Sequence, residues 1–303
     1  MTRSYRTTDV PVTGGDLRVG IWEDGTPGAP TVLAVHGVTA SHLAWQLVAD
    51  ALPGVRIVAP DLRGRGRSNE LTGAAGMAAH ADDLAAVCAH LRIPAGLVVG
   101  HSMGAFVSVA FAHRHPHLLS RLLLVDGGLP LATPPGLSGE QLVAAILGPT
   151  AARLSMRFAD VDAYLDLWRA HPAFAADWTP QLEAYLAYDL VPDGGRLRPA
   201  TSYRTTLEDT VDLNTGTTVT DALAALDHPT RFLTVPRGLQ DEEPGLYAPD
   251  HVARLLATYP AVRHERWEDL NHYTVVMSAR GAGRVAGAIR EELRVLAELS
   301  AVG

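Results

Sequence analysis

The chain has 303 residues, of which 47% are hydrophobic and 19% charged, and its formal net charge is −8. This balance suits a soluble globular protein with a large core, one α/β domain carrying an insertion. The acidic surplus argues against the basic stripe that nucleic acid or an anionic membrane surface would need, and a lone cysteine, Cys88, excludes an intrachain disulfide.

The first residues, Met-Thr-Arg-Ser-Tyr-Arg, are polar and hold no apolar h-region, so the expected location is cytoplasmic. No run of about 18 apolar residues predicts a membrane span. Tyr5–Val12 and Leu17–Glu23, separated by Gly14-Gly15, predict an antiparallel hairpin. Then come short apolar runs bounded by Gly, Pro or Asp: Thr31–Val35, Arg56–Ala59, Leu97–Val99 and Leu122–Val125. Such runs predict strands of a parallel sheet buried on both faces. Helical spacing over Met77–Leu91 and Gly104–His113 lies between them, and the alternation predicts βαβ units.

After Asp126 the pattern changes. From Leu129 to Leu226 no strand-like apolar run is visible, and helices are predicted at Gly139–Leu147, Val161–Arg169, Pro180–Leu190 and Tyr203–Leu213. Strand patterns return at Arg231–Val235 and Val262–Trp267, and an amphipathic helix over Arg280–Leu299 follows. The expected organisation is a mostly parallel α/β core of residues 1–128 and 227–303, flanked by helices. A helical cap of residues 129–226 is inserted into it.

The chemistry centres on Gly100-His101-Ser102-Met103-Gly104, a G-x-S-x-G directly after a predicted strand and before a predicted helix. A sharp strand-to-helix turn strains the serine backbone and projects its oxygen, and the flanking glycines relieve backbone crowding. The helix N-terminus adds a positive dipole end useful to an oxyanion. All 25 basic residues are arginine, so no Schiff-base lysine, Ser-Lys dyad or phosphate-loop lysine exists.

Three local patterns agree: Val35-His36-Gly37-Val38 after a strand, Asp61-Leu62-Arg63-Gly64-Arg65-Gly66-Arg67-Ser68, and the elbow itself. Together they resemble the oxyanion HG loop, the D-x-R-G-x-G-x-S loop and the nucleophile elbow of cap-containing serine hydrolases of the α/β-hydrolase fold. The resemblance covers most of Pro30–Leu129 and Pro229–Leu299, while the cap matches no motif of that family. It implies Ser102 as nucleophile and the backbone N–H groups of Val38 and Met103 as oxyanion donors. It also implies the chain order Ser, acid, His. His272, between the last predicted strand and the final helix, is the expected base. His264 lies within that strand and fits less well. The acid is expected at Asp241, a few residues past Gly238 in the loop after Arg231–Val235. Asp126 at the end of Leu122–Val125 is the alternative, since some members take their acid from that position.

The expected activity is hydrolysis of a carboxylic ester or lactone of moderate size and apolar character. His36, Gly37 and Trp45 near the oxyanion loop, and Trp168 and Tyr188 from the aromatic cap, are the expected substrate contacts. A carbon–carbon bond hydrolase, a cofactor-free perhydrolase or haloperoxidase, and a non-catalytic ligand-binding relative remain alternatives. Ser102 at the elbow argues against dehalogenases and epoxide hydrolases, which need a carboxylate there. No cofactor and no metal are expected, because Pro116 prevents His113, His115 and His117 from sharing one helical face. The expected partner is a small apolar ester or lactone, without nucleic acid or membrane, and a homodimer stays open.

Overall fold

The computed structural model describes residues 3–302. The chain opens with β1 (Ser4–Val12), β2 (Gly15–Glu23) and β3 (Thr31–Val35), then α1 (Gln46–Asp50), β4 (Arg56–Pro60), α2 (Met77–Leu91), β5 (Gly96–His101), α3 (Met103–Arg114) and β6 (Leu119–Val125). An insert follows with α4 (Gly139–Leu147), α5 (Pro149–Arg153), α6 (Val161–Arg169), α7 (Pro180–Tyr188), β7 (Leu190–Asp193), β8 (Arg196–Pro199), α8 (Tyr203–Thr215) and α9 (Thr218–Ala224). The core resumes with β9 (Thr230–Thr234), α10 (Pro249–Thr258), β10 (Val262–Arg266), α11 (Thr274–Met277) and α12 (Ala279–Val302). Among the described residues no helix is long and apolar enough to cross a membrane.

Eight strands form one sheet in the order β1-β2-β4-β3-β5-β6-β9-β10. The β1/β2 and β2/β4 pairs are antiparallel and the rest parallel. The inner strands are continuously apolar because both faces are covered. Successive residues therefore enter two different cores. Val32, Ala34, Leu97 and Val99 pack with α1, α11 and α12, whereas Leu33, Val35, Val98 and Leu122 pack with α2, α3 and α10.

The insert departs from the sequence expectation: α5 and α9 are additional helices, and a β-ribbon stands where no strand was expected. Leu190–Asp193 and Arg196–Pro199 form a two-stranded antiparallel ribbon, turning at Gly194-Gly195 with φ of 56° and 81°. A turn with both central residues at positive φ matches the twist of a hairpin, so the Asp193-Gly194-Gly195 signal had a structural meaning that the short, Pro- and Arg-broken flanks concealed. Side chains at the N-caps delimit the insert helices. Ser138 accepts from Gln141 N–H, Asp160 from Ala163 N–H, Thr179 from Leu182 N–H and Ser202 from Thr205 N–H. Phe158, Tyr164, Trp168 and Phe174 of the insert lie in the same apolar core as the α1/α11/α12 face of the sheet.

A buried carboxylate ties the insert to the sheet. Asp61, just after β4, accepts from His42 N–H (2.8 Å), His42 Nδ1 (2.7 Å), Arg67 N–H (2.8 Å) and the hydroxyl of Tyr188 (2.7 Å). Burial alone would raise its pKa, but attraction and hydrogen bonding from His42 override that and hold it at about 2 rather than 3.8. A carboxyl whose pKa is lower in the folded state adds stability above its unfolded pKa and loses it as pH falls through the folded value. Asp61 is thus expected to contribute about 2 kcal/mol that disappears between about pH 4 and pH 2. Urea unfolding of Asp61→Asn should show a deficit of about 2–4 kcal/mol at pH 7 that shrinks toward pH 2. A variant as stable as wild type at pH 7 would contradict this account.

Candidate active site

Parallel register decides which residues meet. His101 pairs with Val125, and Val125 with Leu233. Ser102 and Asp126 therefore leave adjacent strands at the same level. Ser102 has φ 56° and ψ −126°, a conformation L residues rarely adopt, and its N–H is held by the Val125 carbonyl at 3.0 Å. The surrounding backbones approach closely. A Cβ on Gly104 would lie 2.1 Å from the Val35 carbonyl oxygen, and one on Gly127 would lie 2.2 Å from that of Ser102. Only glycine fits at either point.

His272 lies in the loop between β10 and α11 and reaches Ser102 Oγ with Nε2 at 3.0 Å. Its Nδ1 is 2.7 Å from Asp126 Oδ2. A carboxylate accepts, so Nδ1 carries the proton, and the bare Nε2 faces the Ser102 hydroxyl. Asp126 is fully buried and takes the Val235 N–H on Oδ1 at 3.3 Å. The His272 loop is fixed on several sides. Its N–H bonds to the Arg237 carbonyl (2.9 Å), and Asn271 Oδ1 accepts from the N–H groups of Tyr273 and Thr274. His101 Nε2 donates to the His272 carbonyl at 2.8 Å. Burial and then the nearby His272 push the His101 pKa well below the usual histidine range, so this ring stays neutral.

The structure corrects the expected acid. Asp241 does not approach His272. Its Oδ1 accepts from Arg237 Nε at 2.8 Å and from Asn271 Nδ2 at 2.9 Å, and its side chain is 36% exposed. It braces the residue next to His272, while Asp126 stands behind the imidazole. The loop after β9 turns back on itself through Gly238 N–H to Glu242 O and Gly245 N–H to Pro236 O, which carries Asp241 away from the ring.

A cavity opens over Ser102. Its walls are Gly37, Val38, Thr39, Ala40, Met103, Phe106, Leu131, Leu239, Leu246, Tyr273 and Met277, with Ile146, Leu147, Tyr185 and Leu213 from the helices of the insert. Asp209, Thr210 and Asn214 of α8 add polar groups. Val38 and Thr39 occupy the middle of a turn closed by Ala40 N–H to Gly37 O at 3.3 Å. Met103 is the first residue of α3, so its N–H has no intrahelical acceptor. Both expected oxyanion donors therefore border the cavity.

Four expected substrate contacts do not line it. Trp45 is buried within the α1/α11/α12 core. Trp168 packs edge-on against Tyr273 with centroids 6.2 Å apart, backing the wall rather than forming it. Tyr188 is engaged by Asp61, with the Arg67 guanidinium 4.3 Å above its ring. His36 takes the Leu62 N–H on Nε2 at 2.9 Å, so Nδ1 carries the proton and donates to the Gly37 carbonyl at 2.8 Å. Burial holds its pKa at about 4, and it organises the loop from beneath. Of that set only Gly37 faces the cavity. Reading the sequence overlooked Asp209 and Arg65. The spacing of Thr205, Asp209 and Asp212 on one helical face was the available signal for the first.

The family model described as alpha/beta hydrolase fold matches residues 30–164. The thioesterase domain from the curacin biosynthetic pathway superposes with a TM-score of 0.72 at 22% identity, over 94% of this chain and 99% of that one. This chain has the α/β-hydrolase fold. Among curated proteins it is 34% identical over 100 residues to an uncharacterized protein of Mycobacterium tuberculosis, covering 33% of this chain and 29% of that protein. It is 36% identical over 107 residues to Lipase LipV of the same species, covering 35% of this chain and 41% of the lipase. The α/β-hydrolase-fold chain thus spans well under half the length of these curated relatives.

The crowded elbow yields a direct expectation. Gly104→Ala must displace α3 or β3 backbone and should lower unfolding free energy by about 3 kcal/mol. Thermal and urea unfolding would measure it. Wild-type stability would mean that α3 and β3 have room to part.

Proposed function

We propose that the chain is a hydrolase that cleaves carboxylic esters, lactones included, by acyl transfer to Ser102. One observation carries this reading: the unbroken chain from Ser102 Oγ through His272 Nε2 and Nδ1 to Asp126 Oδ2, at 3.0 and 2.7 Å. The likeness to a lipase and to a thioesterase domain supports the same reaction class.

In this reading His272 takes the Ser102 proton as Oγ bonds to the acyl carbon. Asp126 keeps the imidazole in the productive tautomer and stabilises its cation. The N–H groups of Val38 and Met103 hold the carbonyl oxygen as it becomes negative. His272 returns the proton to the leaving oxygen as the carbon–oxygen bond breaks. A water then gives a proton to His272 and attacks the acyl-enzyme, and Ser102 leaves with that proton. Phe106, Leu131, Ile146 and Leu147 favour an apolar substrate of moderate size.

Ser102→Ala and His272→Ala should each lower kcat on a small p-nitrophenyl ester by roughly 10⁴-fold or more. Asp126→Asn should cost about 10⁴-fold. Asp241→Asn, at a residue that braces Arg237 and Asn271, should stay within about tenfold. Full turnover by Ser102→Ala, or absence of fluorophosphonate labelling at Ser102, would refute the proposal and favour a ligand-binding role.

The cavity walls set a second expectation. Across straight-chain acyl esters, kcat/KM should rise by up to about fourfold per methylene until the cavity is full, following the roughly 0.8 kcal/mol gained per buried CH₂. A flat profile, or a preference for a charged acyl group, would contradict an apolar pocket.

A further inference from the structure

Arg65 is fully buried in the loop after β4. Its Nε donates to the Val38 carbonyl at 2.8 Å and its Nη1 to the Arg63 carbonyl at 2.9 Å. Its Nη2 lies 3.7 Å from Met103 Sδ. One rigid guanidinium thus touches both residues whose N–H groups border the cavity as oxyanion donors. A cation so placed needs a partner, and Asp209 of α8 supplies it, with Oδ2 2.5 Å from Nη1. Asp209 is itself buried, and its Oδ1 is held by Gly76 N–H at 2.7 Å and His80 Nε2 at 3.0 Å. Burial alone would raise the Asp209 pKa, but His80 and Arg65 hold the carboxyl well below its ordinary range.

We propose that Arg65, clamped by Asp209, is a positioning residue that sets the orientation of the Val38 and Met103 N–H groups. This rests on the acyl-transfer reading above. Val38 sits in a turn closed by a single long bond, Ala40 N–H to Gly37 O at 3.3 Å. The bond from Arg65 to its carbonyl restrains the turn, and the contact with Met103 Sδ restrains the first residue of α3. Asp209 belongs to the insert, so the insert takes part in organising the oxyanion site as well as in walling the cavity. An arginine suits the task because its planar fork hydrogen-bonds the Val38 and Arg63 carbonyls while its charge faces Asp209.

The test is the double variant Arg65→Met/Asp209→Asn, which removes the buried cation and anion together. The expected result is a folded protein by circular dichroism. KM for a short ester should stay within about threefold, and kcat per titrated active site should fall about 10–10²-fold. Affinity for phenylboronic acid, which forms a tetrahedral Ser102 adduct, should fall by a similar factor. A purely structural pair would lower the melting temperature and leave kcat per active site and boronate affinity unchanged, and that result would overturn the proposal. If the double variant does not fold, Arg65→Lys replaces it. This variant keeps the charge for Asp209 and loses the fork, so a roughly tenfold lower kcat is expected, and an unchanged kcat overturns the proposal. Ser102→Ala serves as the separate control. Its retention of turnover would remove the acyl-transfer reading itself. An inactive Ser102→Ala beside unaffected Arg65 variants would remove only the role given to Arg65.

Discussion

Ser102 can hold a φ of 56° because its neighbours leave it no other position. Its N–H is bonded to the end of β6, its carbonyl receives the Ala105 N–H at 3.0 Å, and Gly104 lets α3 press against the end of β3. The strain of that backbone is offset by the packing of the whole sheet. Much follows from this point. The Ser102 oxygen projects beyond the strand ends, the free N–H of Met103 lies beside it, and the parallel register delivers Asp126 one strand away. His272 then needs only to bridge a gap that the sheet has already defined.

The insert is held to this scaffold in two different ways. On one side its aromatic residues, Phe158, Tyr164, Trp168 and Phe174, enter the apolar core beside the sheet. On the other side α8 is attached by charge. Glu208, Asp209 and Asp212 accept the N–H groups of Ala75, Gly76 and Met77 at the start of α2, at 3.1, 2.7 and 2.7 Å. Three carboxylates thus meet the positive end of a helix, where orphan N–H groups need acceptors. The close fit between Gly64 and Thr205, with Ser202 N–H bonded to the Gly64 carbonyl at 2.8 Å, adds to that attachment. Such an α8 is a fixed wall of the cavity, and the Arg65–Asp209 pair connects that wall to the turn at Val38.

Several buried charges and tautomers around the site are settled by partners. His36 and His101 are held neutral by burial; His36 uses both nitrogens, on Leu62 N–H and the Gly37 carbonyl, and His101 uses Nε2, on the His272 carbonyl, to fix backbone next to the site. Asp61 and Asp209 stay ionised through several donors each. The motif-rich loop after β4 is therefore mainly a connector, joining β2, the His42 turn, the insert and the Val38 turn through Asp61 and Arg65.

Local pattern was enough to read the sheet-helix alternation, the elbow at Ser102 and the late position of His272, because each depends on nearest neighbours along the chain. The acid depended on something else. Asp126 and Asp241 both follow apolar strands, and only the pairing of β5, β6 and β9, with the fold of the loop after β9, puts one behind the imidazole and sends the other to Arg237 and Asn271. Trp45, Trp168, Tyr188 and His36 were plausible wall residues by type and position, yet packing and hydrogen bonding turned each away from the cavity. Arg65 reads in sequence as one arginine of the D-x-R-G-x-G-x-S pattern, and Asp209 as one of several acids in the helix predicted over Tyr203–Leu213. Their union spans 144 residues, and a contact of that range leaves no periodicity or spacing in the sequence. The sequence by itself determined the strand–helix alternation of the core and the place of Ser102 at the turn between β5 and α3. Only the tertiary structure decided which carboxylate meets His272, the cavity wall and the buried Arg65–Asp209 pair, because these come from strand register and from long-range compensation of buried charge.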